Sequence, residues 1–402
     1  MRSVYFEKSI PRVLATLGLK KITRRAVSGP WSPIRFQDLP EPPLPGPHGI
    51  RVKNRQCGVC ATDLHLISVD VDPKTHPAAL PTYDRIYIGH EAVGEVTEVG
   101  DAVTDLEPGR RVLMQSAGLG PTCLAQSIEP LCVHCQQGDY GLCSNVVAGL
   151  GTPGVGGGWS DGYTCHESAV WPLPDELDDD RAMLLEPLSC GVRAALRRRP
   201  ERGAKVLVIG CGIIGLGTVQ ALRVVAPGAE VFAAARYPHQ AALAERYGAT
   251  VITDPDLLKE AARVTGATLC KGELGVRTLV GGFDVIYDCV GTGPTIEQSL
   301  RMTRAHGAVV VVGVHLHRVR VDLTPVFHQE VDLVGSLAHG AETWDGERVQ
   351  TFELTGRWIQ EGKLSTDDLI THRFPLGDWK RAVRISGDKR NRSVKVVLDC
   401  RR

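Results

Sequence analysis

The sequence predicts an α/β chain in which a doubly wound parallel sheet is joined to a β-rich unit. Three observations predict it. Continuous apolar runs of strand length recur after about residue 187, beginning with Lys205-Val206-Leu207-Val208-Ile209, and such runs belong to strands buried on both faces. Helical patterns lie between most of these runs, the alternation that builds a parallel sheet. The first run leads directly into Gly210-Cys211-Gly212-Ile213-Ile214-Gly215, a glycine pattern set between a strand and a helix.

Taken in order, residues 1 to about 30 show little periodicity. The prolines Pro30, Pro33, Pro40, Pro42, Pro43, Pro45 and Pro47 mark an irregular lead-in. Ile50-Arg51-Val52-Lys53 alternates as a strand, and a helix is expected from near Thr62. Ala92 to Gly100 alternates at period two and ends in a turn, and Pro108-Gly109 precedes a further strand at Val112-Leu113-Met114. Past the glycine pattern, a helix to about Val225 stops at Pro227-Gly228. Strands are then expected at 230–234, 250–252, 283–288, 308–312 and 331–334, which with 205–209 makes six. Residues 264–281 are expected to be a helix end and a loop. A helix near 350–361 and a last strand at 394–398 complete the chain.

Bulk properties narrow the function. The chain has 402 residues, enough for two domains with substantial cores. Its 46 basic and 46 acidic side chains cancel, which argues against a nucleic-acid surface. No apolar run is long enough for a membrane span, and the charged N-terminus lacks a signal-peptide core, so a cytoplasmic enzyme is expected. The 12 cysteines do not suit a secreted disulfide framework in so large a chain. Several scattered ones, such as Cys57, Cys211 and Cys400, suit buried packing.

Two groups of side chains point to metal. Cys60 in Gly58-Val59-Cys60-Ala61-Thr62-Asp63, His90 in Gly89-His90-Glu91, and Glu186 in Leu185-Glu186-Pro187 offer a thiolate, an imidazole and carboxylates. That set suits an open catalytic zinc site, with either Glu91 or Glu186 as the carboxylate. Asp63 is the natural partner for the second nitrogen of a ligating histidine. Cys132-Val133-His134-Cys135 with Cys143 suits a closed structural zinc site. Its fourth ligand is either Cys123 or Glu129, and the softness of sulfur favours Cys123.

The glycine pattern suits a dinucleotide. Gly210 allows a tight turn, Gly212 lets the backbone approach a pyrophosphate, and Gly215 allows close helix packing. Ile214 lies in the helix N-terminus that faces the phosphate charge. The position after the second strand, where an acidic residue would bind a ribose 2′-hydroxyl, is Ala235, followed by Arg236. Arg236, with His239 nearby, can meet a 2′-phosphate, so NADP is expected in preference to NAD.

Nearly the whole chain resembles the zinc-dependent medium-chain alcohol dehydrogenases, through Gly58 to Asp63, Gly89-His90-Glu91 and the glycine pattern at Gly210, in that order. Glu186-Pro187-Leu188 resembles the threonine, sorbitol and glucose dehydrogenase branch. The resemblance implies a GroES-like catalytic domain over residues 1–187 and 337–402, and a Rossmann domain over 188–336. It implies zinc-assisted hydride transfer between a secondary alcohol and a nicotinamide, with Thr62 and His65 carrying the proton outward. Lys395 stands where the family carries a basic residue near the cofactor phosphates. Two departures are visible: Glu129 takes the place of the first cysteine of the structural site, and the loop Pro153 to Asp161 is rich in glycine. Trp159 and Tyr163 are expected near the substrate mouth. The expected partners are a small alcohol or carbonyl substrate and further copies of the chain, as a homodimer or homotetramer. Two alternatives are a zinc-independent NADPH-dependent reductase of activated double bonds, which would not need Cys60, His90 and Glu186 together, and a non-catalytic nucleotide-binding protein.

Overall fold

The computed structural model describes residues 1–72, 84–115, 121–146, 156–253 and 255–401. It divides into two compact units, Met1–Glu186 with Thr366–Arg402, and Pro187–Ser365. Of the glycine-rich loop, Pro153, Gly154 and Val155 lie outside the described residues. Among the described residues no helix is long and apolar enough to cross a membrane.

In the first unit, β1 (Arg2–Glu7) pairs antiparallel with β2 (Ile34–Asp38), and helix α1 (Ile10–Leu19) lies between them in sequence. A strand and a helix thus stand where little periodicity was expected. β3 (Gly49–Gly58) runs into α2 (Ala61–Ile67), and β4 (Arg85–Tyr87) pairs with β1. β5 (Ala92–Val99) pairs with β3 and β6 (Arg111–Met114) with β5. The short helix α3 (Val133–Gln136) follows, then β7 (Gly162–His166) on β3 and β8 (Val170–Pro172) on β6. Helix α4 (Asp179–Arg197) continues through Pro187, so the expected boundary at 187 falls inside a helix.

The second unit opens with β9 (Lys205–Ile209), α5 (Ile213–Val225), β10 (Glu230–Ala234), α6 (Pro238–Arg246), β11 (Thr250–Ile252) and α7 (Leu257–Thr265). A two-stranded hairpin, β12 (Thr268–Lys271) with β13 (Arg277–Val280), occupies the stretch expected to be a loop. Then come β14 (Phe283–Asp288), α8 (Gly293–Met302), β15 (Thr303–Val311), α9 (Thr324–Gln329) and β16 (Asp332–Gly335). The order β11-β10-β9-β14-β15-β16, parallel throughout, is the doubly wound sheet the apolar runs predicted. Its core includes Leu207, Ile286 and Val309, with Phe232 edge-on to Phe283.

The return to the first unit comes at Thr366 and not at 337. The intervening β17 (Ala341–Trp344), β18 (Glu347–Gln350) and α10 (Thr351–Gln360) remain with the second unit for a specific reason. The buried guanidinium of Arg193 donates to the carbonyls of Leu337 (2.9 Å) and His339 (2.7 Å) and pairs with Glu342 at 3.1 Å. Removing a partner from a buried charge is costly, so the segment is held there. Beyond it, β19 (Ile370–Pro375), α11 (Trp379–Gly387) and β20 (Lys395–Asp399) rejoin the first unit, whose sheet runs β19-β20-β3-β5-β6-β8. Cys57, Ile67, Trp159, Trp379 and Leu398 share its core.

Candidate active site and metal centres

Cys60 is the N-cap of α2, with extended backbone angles, and Asp63 sits at the third helical position. The Cys60 N–H donates to Asp63 Oδ2 at 2.8 Å, a reciprocal cap that fixes the cysteine at the start of the helix. The other oxygen of the buried Asp63 accepts from the Gly89 N–H at 3.2 Å and lies 3.6 Å from His90 Nδ1. One carboxylate therefore orients both segments. Gly89 has φ +90°, and a Cβ there would lie 2.8 Å from the Trp159 backbone nitrogen, so only glycine makes this turn.

The result is a donor group. Cys60, His90 and Glu91 each present a ligand atom within 4.8 Å of the other two. Burial lowers the His90 pKa, but the Cys60 sulfur and Asp63 more than offset it and hold it well above the ordinary value. Glu186 is buried, and its charge contributes to raising the pKa of Lys395, yet it is not in the group within 4.8 Å among the described residues. The Thr62 hydroxyl lies 3.8 Å from the Cys60 sulfur. His65, a turn further along α2, is part-exposed, with Nδ1 3.2 Å from Asp70 Oδ2. Lys20, in the connection between β1 and β2, donates to the carbonyls of Ser68 (3.0 Å) and Val69 (3.3 Å) just past α2. Neither Asp70 nor Lys20 carried a signal in the sequence, because neither shares a periodic face with the motif it supports.

Lys395 does not stand free for a phosphate. Its Nζ lies 2.8 and 2.7 Å from the two oxygens of Glu91, and both side chains are only 1% exposed. A buried ammonium needs a counter-charge, and Glu91, just before β5, provides it. Trp159 and Tyr163 also depart from expectation, being 0% and 3% exposed. The indole N–H of Trp159 donates to the Gly58 carbonyl at 3.1 Å, and Asn54 Nδ2 donates to the carbonyls of Gly157 and Ser160, each at 2.9 Å. This tryptophan fastens the end of β3, two residues before Cys60.

In the second cysteine group the donor atoms of Cys123, Cys132, Cys135 and Cys143 all lie within 4.8 Å of one another. Cys123 and Cys143 sulfurs are 3.6 Å apart, and Asn145 Nδ2 donates to the Cys123 sulfur at 3.2 Å. Cys132 caps α3, accepting the Cys135 N–H at 3.5 Å, and that bond leads in drawing its pKa down to about 6. Burial pushes Cys135 and Cys143 up instead. Glu129 is not in the group among the described residues. Four converging sulfurs fit a tetrahedral zinc.

In the second unit the glycine pattern joins β9 to α5. Gly210 has φ +87°, Gly212 is the N-cap of α5, and a Cβ on Gly215 would collide with the Gly210 carbonyl oxygen. Ile214 lies in the first turn, its carbonyl accepting from Thr218 Oγ1 at 2.9 Å. Arg236 is exposed just past the end of β10, with its guanidinium carbon 5.7 Å from the Tyr237 ring centroid. This arrangement of backbone N–H groups at a helix start is suited to a pyrophosphate.

Comparison with known proteins agrees with this geometry. A family model described as the alcohol dehydrogenase GroES-like domain matches residues 46–175, and one described as zinc-binding dehydrogenase matches 214–352. The chain is 31% identical over 365 residues to an L-idonate 5-dehydrogenase of Vitis vinifera, covering 89% of each. Its structure is similar to that of 2R,3R-butanediol dehydrogenase from Bacillus subtilis, with TM-score 0.68 and 26% identity over 91% of this chain and 96% of that one. It is also similar to a putative zinc-binding dehydrogenase from Sinorhizobium meliloti 1021 bound to NADP, with TM-score 0.68 and 27% identity over 91% and 95%.

Proposed function

Because the chain belongs to the zinc-dependent medium-chain alcohol dehydrogenases, we propose that it oxidises a secondary alcohol flanked by a second hydroxyl, as in a polyol or vicinal diol. It is an oxidoreductase of CH–OH groups that uses zinc and a nicotinamide cofactor. The relatives named for idonate and butanediol support the narrower substrate class.

The observation that carries the reading is the converging thiol, imidazole and carboxylate of Cys60, His90 and Glu91, a donor set suited to zinc with a position left open. Zinc held there would act as a Lewis acid toward an alcohol oxygen, and the nicotinamide would accept the hydride. Asp63 fixes the His90 ring and the Cys60 backbone together, so the donors are oriented in advance. In this proposal Thr62 accepts the alcohol's proton and His65 with Asp70 passes it to solvent, which their nearness to Cys60 along α2 supports. Gly210, Gly212, Ile214 and Gly215 bind the pyrophosphate in this proposal, and Arg236 a 2′-phosphate. Cys123, Cys132, Cys135 and Cys143 would hold a structural zinc, a reading their converging sulfurs support. Double-bond reduction without zinc would have no use for either donor group.

A homodimer or homotetramer is the proposed assembly, supported by exposed Leu333 on the edge strand β16 and Leu337 just beyond it. Cysteine ligands in both metal groups require reduced thiols, which supports a cytoplasmic setting.

The test pairs metal analysis with turnover of vicinal diols, polyols, amino-alcohols and isolated secondary alcohols, using both NAD and NADP. Cys60→Ser should lose about one zinc per chain and nearly all turnover, with the second unit still folded. Undiminished oxidation by metal-free wild type would exclude the mechanism, and a preference for isolated alcohols would exclude the substrate class.

A further inference from the structure

Strands β3 and β7 bring together a third set of ligand-type side chains, apart from both cysteine-bearing groups. His48 immediately precedes β3, and His166 ends β7, where the sheet register pairs it with Gly49. The Glu167 N–H donates to the His48 carbonyl at 3.0 Å, so paired backbone holds all three residues. The two imidazole centroids are 5.4 Å apart, with their planes inclined by 30°. His48 Nδ1 lies 2.6 Å from Glu167 Oε1, and one donor atom from each of His48, His166 and Glu167 lies within 4.8 Å of the others.

We propose that His48, His166 and Glu167 form a further binding site for a divalent transition ion of the zinc, nickel or copper class. Imidazole nitrogens with one carboxylate favour these ions over calcium and magnesium, which take all-oxygen shells. The tautomers can be arranged. With the His48 proton on Nε2, Nδ1 turns its lone pair toward the same point as the Glu167 oxygen 2.6 Å away, so an ion would take the place of the proton between them. On His166, the Ser168 hydroxyl 2.9 Å from Nδ1 can accept that atom's proton and free Nε2. The Ser168 N–H, 3.1 Å from the same atom, favours the opposite tautomer, and a bound ion would select between the two. An ion here would bridge the start of β3 to the end of β7, in the first unit's sheet, without drawing on Cys60 or His90.

The experiment is equilibrium dialysis of the zinc-loaded enzyme against rising free Zn2+, with bound metal counted by mass spectrometry. Wild type should take up about one zinc per chain more than His48→Gln or His166→Gln, and Glu167→Gln should need more free zinc for the same uptake. All three variants should keep wild-type alcohol oxidation, which also verifies that they fold. A second reading uses Cu2+: its electron paramagnetic resonance spectrum should carry coupling to two imidazole nitrogens in wild type and to one in each histidine variant. Equal zinc uptake by wild type and both histidine variants, or copper coupling that neither substitution alters, would overturn the assignment.

Discussion

Replacing Lys395 with methionine separates two roles for this residue, a buried counter-charge or a cofactor-phosphate contact. The Lys395 ammonium is 2.7 Å from a Glu91 oxygen, with both side chains 1% exposed. At that distance and an effective dielectric of about 20, the Coulomb attraction is about 6 kcal/mol. Desolvating each ion costs several kcal/mol, so the pair's net contribution is small, while stranding one charge costs about 3–5 kcal/mol. Lys395→Met should therefore destabilise the first unit by that amount. Lys395→Met with Glu91→Gln, which removes both charges, should recover most of the loss. Urea unfolding read by the buried Trp159 and Trp379 would measure it, with and without bound zinc, since Glu91 also belongs to the donor group. Burial lowers the Lys395 pKa, but Glu91, the Cys60 sulfur and Glu186 reverse this, and it is raised overall. A raised lysine pKa contributes stability fully below the unfolded value and loses it only as pH rises through the folded one, so the deficit should be constant from about pH 6 to 9. A variant that unfolds at the wild-type urea concentration but has a raised KM for the cofactor alone would refute the reasoning and return Lys395 to the phosphates.

Two further predictions concern the second metal group and the cofactor. Cys123→Ser should lose about one zinc per chain, while Glu129→Gln keeps it, because the fourth converging sulfur belongs to Cys123; metal analysis showing the reverse would place the ligand at 129. Arg236→Ala should weaken NADP by roughly ten- to a hundredfold, about 1.5–3 kcal/mol, and leave NAD unchanged; specificity constants for both cofactors in wild type and variant measure this, and equal weakening of the two would mean Arg236 reads no phosphate.

The parts of the fold legible in the sequence are those fixed by local periodicity. Val206 to Ile209 reads as a buried strand because nothing polar interrupts it, and Gly210 to Gly215 reads as a turn because three glycines fall within six residues at its end, two of which, Gly210 and Gly215, have no room for a Cβ. Cys60 and Asp63 are three residues apart, so their mutual cap is also visible in a short window. Other features escape local reading. Pro187 suggests a break, yet α4 runs through it, and the missing N–H is the sort of local cost, about 3 kcal/mol, that tertiary packing overrides. Thr268 to Val280 shows no clear alternation, and its hairpin is fixed by cross-strand pairing of Leu269 with Leu279.

Lys395 is the instructive failure, because charge was visible and its partner was not. Lys395 lies among valines in Val394-Lys395-Val396-Val397, and its assignment to the cofactor phosphates rests on the family resemblance alone. What buries it is Glu91, 304 positions away, brought to the same place by pairing β20 with β3 and β3 with β5. Glu91 was read as a metal ligand for an equally local reason, its position beside His90. Once both are folded, the carboxylate lies between an ammonium and a ligand group, and its charge serves both. A substitution at Lys395 should therefore change how readily Glu91 approaches zinc, a coupling that exists only in the folded first unit. Donor types and spacings in a sequence can locate a metal site, but the charge balance within its buried surroundings depends on residues that only the sheet brings together.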